Sequence, residues 1–191
     1  KHNEDYVLHT EIAPDISLIV VCDGMGGLSY GADASKTIAH SIDNYLRQDL
    51  CIHKPEQSII NALHYANDEL AKECVRLKSK MGASVALALF VGNACYYTWL
   101  GDVRIYLATE GKRELLTKDH LAIEGNHSFL SRCINGKDFR HIPEVGELAI
   151  SSGDEVYIAT DGYYLHNEMG AMIESVITAD DDATFVCIRL K

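Results

Sequence analysis

The apolar residues of this chain change period several times, and each change marks a different kind of element. Residues 16–22, Ile-Ser-Leu-Ile-Val-Val-Cys, form a short β-branched run that stops at Asp23-Gly24-Met25-Gly26-Gly27, as a buried strand does when it enters a glycine-rich turn. Over 31–50, Ala34, Ile38, Ile42, Tyr45 and Leu46 recur at helical spacing, and Pro55 opens a second such pattern with Ile59, Leu63, Ala66 and Leu70. Proline in the first turn sacrifices no helical hydrogen bond, so two amphipathic helices are predicted.

From residue 84 the period shortens. Runs over 84–91, 95–100, 103–108 and 114–117 are split by Gly92-Asn93, Gly101-Asp102 and Glu110-Gly111, which predicts an antiparallel meander. Residues 120–143 carry Gly125, Asn126, Asn135, Gly136 and Pro143 with little periodicity; they read as loop with one helical turn over 129–133. A strand over 154–159 turns at Thr160-Asp161-Gly162 into a predicted helix reaching about Val176, and 183–190 is a closing strand. Strands in hairpins with helices in separate blocks place the chain in the α+β class. With no repeat or linker, residues 1–191 read as a single domain.

Composition narrows the function. Of 191 residues, 47% are hydrophobic and 24% charged, and a chain of this size buries roughly 70% of its unfolded surface, enough for a core without staples. The formal net charge of −11 repels nucleic acid and anionic membranes, which excludes both as partners. Six cysteines stand singly, without a C-x-x-C pair or a histidine at zinc-ligand spacing; they read as reduced core residues of a cytoplasmic protein. No apolar run reaches the ~18 residues of a membrane span.

The acidic residues carry the chemistry. Glu4-Asp5 precedes a strand, Asp23 ends one, Asp102 separates two, Asp161 ends another and Asp180-Asp181-Asp182 precedes the last. Turn preferences alone explain any one of them. If strand ends from one edge of a sandwich converge, however, their carboxylates repel and take up protons unless cations are bound. Hard oxygen donors favour Mg²⁺, Mn²⁺ or Ca²⁺ over zinc. Two such ions about 3.5–4 Å apart activate a shared water towards phosphorus, which describes a phosphohydrolase.

In motif order, nearly the whole chain resembles the metal-dependent protein serine/threonine phosphatases of type 2C. The matching segments are Asn3-Glu4-Asp5, Val20-Val21-Cys22-Asp23-Gly24-Met25-Gly26-Gly27, Gly82-Ala83-Ser84, Gly101-Asp102-Val103-Arg104-Ile105-Tyr106, Leu116-Thr117-Lys118-Asp119-His120, Ala159-Thr160-Asp161-Gly162 and Asp181-Asp182-Ala183-Thr184. The resemblance implies a four-layer αββα sandwich, two antiparallel sheets face to face with helices outside. It also implies a phosphoserine/phosphothreonine phosphatase with two tightly held Mn²⁺ or Mg²⁺ ions. Asp23 would bridge them, with the Gly24 carbonyl and Glu4 on one side and Asp161 and Asp181 on the other. Asp5 would act through water, and Asp102 would join Asp161 around a third, weaker ion. Catalysis would rest on Asp23, Asp161 and Asp181. A phosphoprotein substrate, an opposing Ser/Thr kinase or its targets, and a monomeric state complete the expectation.

The departures are specific. The chain starts at Lys1 rather than Met, so the family's phosphate-contacting arginine, three residues before the first-motif Asn, would fall just before Lys1. Met25 stands where some relatives place a histidine, Asp182 where the family usually has Asn, and Val103 replaces a common Ser. Residues 120–132 are too few for the flap that bacterial relatives insert, which predicts a reduced flap. His120 and Arg104 read as structural, Arg104 pairing with a carboxylate, and Tyr96, Tyr97 and Trp99 as core. Ser29 breaks a dinucleotide fingerprint at Gly24-Met25-Gly26. Two rival readings stay open: a phosphatase with Asp23 as nucleophile, which would need an acid where Met25 stands, and a catalytically impaired metal-binding or partner-switching module of the same fold.

Overall fold

The computed structural model describes residues 3–25, 30–125, 127–167 and 181–190. Strands β1 (Asp5–Ala13) and β2 (Ile16–Gly24) form an antiparallel hairpin that turns at Asp15, whose φ is 60°. Helices α1 (Gly31–Asp49) and α2 (Pro55–Leu77) follow, as their spacing predicts, and α2 opens on its proline. Strands β3 (Ala83–Val91) and β4 (Ala94–Leu100) extend the sheet, and β5 (Arg104–Thr109) and β6 (Lys112–Leu115) begin another. Next come β7 (Leu121–Glu124), β8 (His127–Leu130), β9 (Val145–Ala149), β10 (Glu155–Ala159), α3 (Asp161–Tyr164) and β11 (Phe185–Arg189).

The five-stranded sheet runs β1-β2-β3-β4-β9, and the four-stranded sheet runs β11-β10-β5-β6. All their pairings are antiparallel. The expected meander is therefore split: β4 and β5 are consecutive in sequence but belong to different sheets, and Gly101-Asp102-Val103 is the crossing between them. Hydrophobic alternation reports that a strand is half buried, not which sheet it joins.

Strand alternation sends the apolar residues of the larger sheet into two cores. Leu18, Val20, Cys22, Leu87 and Leu89 pack with Ile38, Ile42, Leu46, Ile59, Leu63 and Leu70 of the helices. Ile19, Val21, Ala86, Ala88 and Trp99 pack with Ile105, Val156 and Ile158 of the second sheet. The α+β sandwich holds, with one sheet between helices and the other sheet. On the outer side of the second sheet, the helix predicted to reach Val176 is described only as α3; residues 168–180 lie outside the described residues.

Three expectations need correction. Residues 121–130 hold an antiparallel hairpin, β7 with β8, rather than loop and a helical turn. Residues 145–149, read as no element, form edge strand β9, where Gly146 lies under the Tyr97 ring and a Cβ would clash at 2.3 Å. Of the six cysteines, all free, only Cys22 and Cys95 are buried; Cys51 is exposed and the rest are half-buried.

Candidate metal centre

The register of the first sheet aligns the acids. Asp5 of β1 lies directly opposite Asp23 of β2, and Asp23 lies opposite Ser84 of β3. Directly opposed residues share a sheet face, and Asp23 shares parity with Ile19 and Val21, so this row lies on the face turned towards the second sheet. Two carboxylates opposed across strands repel, which marks the rim of the inter-sheet core as a place where function overrides stability.

The second sheet closes on this rim. Its crossing carries Asp102, whose Oδ1 accepts the Ser84 hydroxyl at 2.7 Å and whose carbonyl accepts the Tyr164 hydroxyl at 3.0 Å. Asp161 opens α3, directly after buried Thr160 at the end of β10. Thr160 Oγ1 donates to Asp5 Oδ2 at 2.9 Å and accepts the Thr184 N–H at 2.9 Å. One threonine thus joins β1, β10 and the approach to β11.

Asp23 experiences the whole group. Its carboxyl is pushed up to about 9, first by burial and then by the charges of Asp5, Asp161, Asp102 and Asp181. Burial also raises Asp5, against the Thr184 and Thr160 hydrogen bonds, with Asp182 and Asp161 adding to the rise. Asp102 is raised by burial, opposed by Ser84 and assisted by Asp161.

Glu4 joins differently. Its carbonyl accepts the Gly24 N–H at 3.1 Å and the Ser35 hydroxyl at 2.7 Å, while its own N–H donates to Asp182 Oδ2 at 2.8 Å. The Glu4 carboxylate lies against Gly31, where a Cβ would sit 2.7 Å from Oε1, and not among the charges acting most strongly on Asp23. A Cβ on Gly24 would meet the Gly31 carbonyl at 2.6 Å, and one on Gly162 would meet the Asp182 carbonyl at 2.1 Å. Each Asp-Gly pair therefore brings a second chain segment up to its aspartate.

Among the described residues no three His, Cys, Asp or Glu side chains form a ready-made metal cage. The mutual repulsion of Asp23 with Asp5, Asp161, Asp102 and Asp181 favours a bound cation, and an Mg²⁺-like ion keeps several waters and takes few protein ligands. Asp5 Oδ1 is buried without a hydrogen-bond partner, and such an oxygen beside an all-carboxylate donor set fits a hard divalent cation.

Arg104 is structural, as expected: it grips Asp119 through two bonds of 3.0 and 2.8 Å and lies 3.7 Å over the Tyr164 ring. His120 stacks on Trp99 with centroids 5.4 Å apart, and its Nδ1 accepts the Gly101 N–H at 3.2 Å. Both support the Asp102 crossing from below. The residues that the sequence reading misses are Ser84, Thr160 and Tyr164. The first two lie inside the matching motifs, but only the register shows what their hydroxyls hold.

A family model described as protein phosphatase 2C matches residues 1–185. Mouse protein phosphatase 1E is 26% identical over 100 residues, covering 52% of this chain and only 13% of that protein, so the chain spans a small part of that relative. PhpP of Streptococcus pneumoniae is 23% identical over 205 residues, 94% of this chain and 80% of PhpP. Among solved structures, Stp1 of Staphylococcus aureus superposes with a TM-score of 0.83 at 21% identity, covering all of this chain and 90% of Stp1. The PstP catalytic domain, crystallised in complex with two manganese ions, gives 0.74 at 23% identity, over 88% of this chain and 75% of PstP.

Proposed function

The chain belongs to the protein phosphatase 2C family, and on that premise we propose that it hydrolyses phosphoserine and phosphothreonine in other proteins with the help of two Mn²⁺ or Mg²⁺ ions. The observation that carries the reading is the meeting, at a half-buried rim, of Asp23 with Asp5, Asp102, Asp161 and Asp181. Asp23, Asp161 and Asp181 would hold the ions with Glu4 and the Gly24 carbonyl, and Asp5 and Asp102 would stand around them. When bound, such ions neutralise the carboxylates and make a water acidic enough to attack phosphorus at neutral pH.

The remaining work belongs to the chain. Thr160 orients Asp5, Ser84 orients Asp102, and the Asp182–Glu4 bond keeps the turn before β11 against the start of β1. These second contacts fix carboxylate directions before substrate arrives, which is what electrostatic catalysis requires. The Asp23-nucleophile reading lacks its second acid: Met25 stands there, and a Cβ on Gly82 would lie 1.9 Å from the Met25 Cε. A metal-binding module without catalysis would keep the same acids, but the relatives that the chain matches are named as phosphatases, which favours the catalytic reading.

No helix among the described residues is long and apolar enough to cross a membrane. The free cysteines suit the reducing cytoplasm, and a monomer facing a Ser/Thr kinase in signal transduction completes the proposal. The test is turnover of an aryl phosphate with added Mn²⁺ or Mg²⁺. Activity is expected to stop with chelator and return with metal. Chelator-resistant turnover, or an aspartyl-phosphate trapped on Asp23, would overturn the mechanism.

A further inference from the structure

A cavity of about 670 Å³ opens on the flank of the acidic rim. Its wall starts at Leu100, two residues before Asp102, passes Phe129 of β8 and follows residues 130–141. Much of that wall has no regular structure, yet it is pinned at three places. Ile134 exchanges backbone hydrogen bonds of 3.0 and 3.1 Å with Ala83, beside Ser84. Buried Asn67 of α2 accepts the Gly136 N–H and donates to the Lys137 carbonyl, both at 2.9 Å. The Phe139 ring lies 4.9 Å from the ring of His64. Gly136, with φ 74°, is required here, because a Cβ would meet the Ala71 Cα at 2.9 Å.

The charge of this cavity opposes that of the chain. Arg132, Lys137 and Arg140 line it against one acid, Asp138, in a protein of net charge −11. Arg132 is shared with exposed Glu144 at 3.4 Å, whereas neither Lys137 nor Arg140 is ion-paired to a described residue. The cavity's wall reaches the rim through the Ile134–Ala83 pairing, next to Ser84. Burial raises the Cys133 thiol on its wall, Lys137 pulls it down and Asp102 pushes it up, so one side chain lies within reach of both charges.

We propose that this basic cavity receives a carboxylate-rich stretch beside the phosphorylated residue of a phosphoprotein substrate, so that the enzyme selects acidic phosphorylation sites. The inference rests on the phosphatase reading above for its substrate and on Lys137 and Arg140 for its sign. Two cations in a concave wall attract carboxylates at long range and hold them at short range. The aromatic walls, Phe129 and Phe139, accept the apolar part of the same peptide. Selection then falls to this wall, which is pinned to α2 through Asn67 and to β3 through Ala83.

Three phosphoserine peptides differing only in flanking Glu, Gln or Lys test the idea. The Glu peptide is expected to exceed the Lys peptide in kcat/KM by roughly tenfold at low salt, and the difference to shrink at high salt. Lys137→Glu with Arg140→Glu, both exposed, is expected to invert the order while aryl phosphate turnover and thermal midpoint stay unchanged. Equal rates on the Glu and Lys peptides, with aryl phosphate hydrolysed, would overturn the cavity's role and leave the phosphatase reading standing. A fluorescein-labelled, unphosphorylated Glu-rich peptide separates the converse case. Binding that the double variant weakens about tenfold supports the cavity even if no phosphate ester is cleaved. Binding unaffected by charge reversal overturns it.

Discussion

The two faces of β2 serve different ends. Towards the helices it presents Leu18, Val20 and Cys22, apolar to the last residue. Towards the second sheet it presents Ile19 and Val21 and then Asp23. β3 repeats the contrast, with Val85, Leu87 and Leu89 on one side and Ala88, Ala86 and then Ser84 on the other. The helix-side core is apolar along its length and only holds the fold. The inter-sheet core is apolar in its middle and gives its rim to carboxylates. Because side chains alternate, a slip of one residue would exchange the two faces, so the packing of the first core also aims the aspartates of the second.

The sharpest way to break this contrast is to remove charge from the rim while keeping shape. Asp23→Asn is expected to lower metal-dependent turnover by ~10³-fold or more, since it removes the charge on which the other four acids converge. In chelator the same variant is expected to be at least as stable as the wild type, because asparagine is neutral without the proton that Asp23 must take up on folding. Retention of a tenth of the activity, or a clear loss of metal-free stability, would place Asp23 in the structural class with Leu87.

The reciprocal change is Leu87→Ala, fully buried on the helix side. A truncated leucine in a packed core costs about 2–5 kcal/mol, read as a lower denaturant midpoint with an unchanged slope. Turnover per folded molecule is expected to stay within about twofold under saturating metal, because the substitution leaves rim charges in place. A large kcat defect in folded Leu87→Ala would show that the two cores are not separable.

Between these extremes lies pH. Asp23 titrates near 3.8 unfolded and about 9 folded, the shift coming from burial and then its acidic neighbours. Between those values the folded chain keeps a proton that the unfolded chain has released. Without metal, this contribution is complete below the lower value and is lost as pH rises through the upper one. Asp5 and Asp102, also raised, act in the same direction. In chelator the thermal midpoint is expected to fall as pH rises towards 9, and Asp23→Asn to flatten the fall. Saturating Mn²⁺ is expected to reverse it, since carboxylates bind metal deprotonated. A midpoint that rises with pH in chelator would mean that the acids are not mutually repelling.

Much of this contrast is legible in the amino-acid sequence. The helical spacing of Ile38, Ile42 and Leu46 and the apolar run ending at Asp23 identify both walls of the helix-side core. The motif order identifies the acids. Hidden from the sequence is whatever local period cannot encode. Nothing in Gly101-Asp102-Val103 says that the chain changes sheets there. The β7–β8 hairpin exposes Leu121, Ile123 and Phe129, so no burial imposes a pattern on 121–130. Asp154 is a warning from the same class of signal: it precedes a strand as the site aspartates do, yet it accepts the Ser151 N–H and the Thr109 hydroxyl, each at 2.9 Å, as an ordinary turn residue does.

Asp182 offers the smallest expected effect and the finest test, because it stands where the family usually carries Asn. An extra carboxylate there would either tighten metal binding or serve the fold. Its Oδ2 accepts the Glu4 N–H across the rim, from the approach to β11 to the start of β1, so the contact joins the two sheets at their open end. An asparagine oxygen accepts the same bond, which explains how either residue fits. Asp182→Asn is therefore expected to keep stability and turnover, and to lessen the protonation of Asp5 that the Asp182 charge promotes. Asp182→Ala removes the acceptor and should cost roughly 0.5–1.5 kcal/mol, with kcat nearly intact and a higher metal concentration needed for half-maximal rate. Should Asp182→Asn raise that concentration as much as Asp182→Ala does, the carboxylate's charge, and not its hydrogen bond, would be what the rim requires.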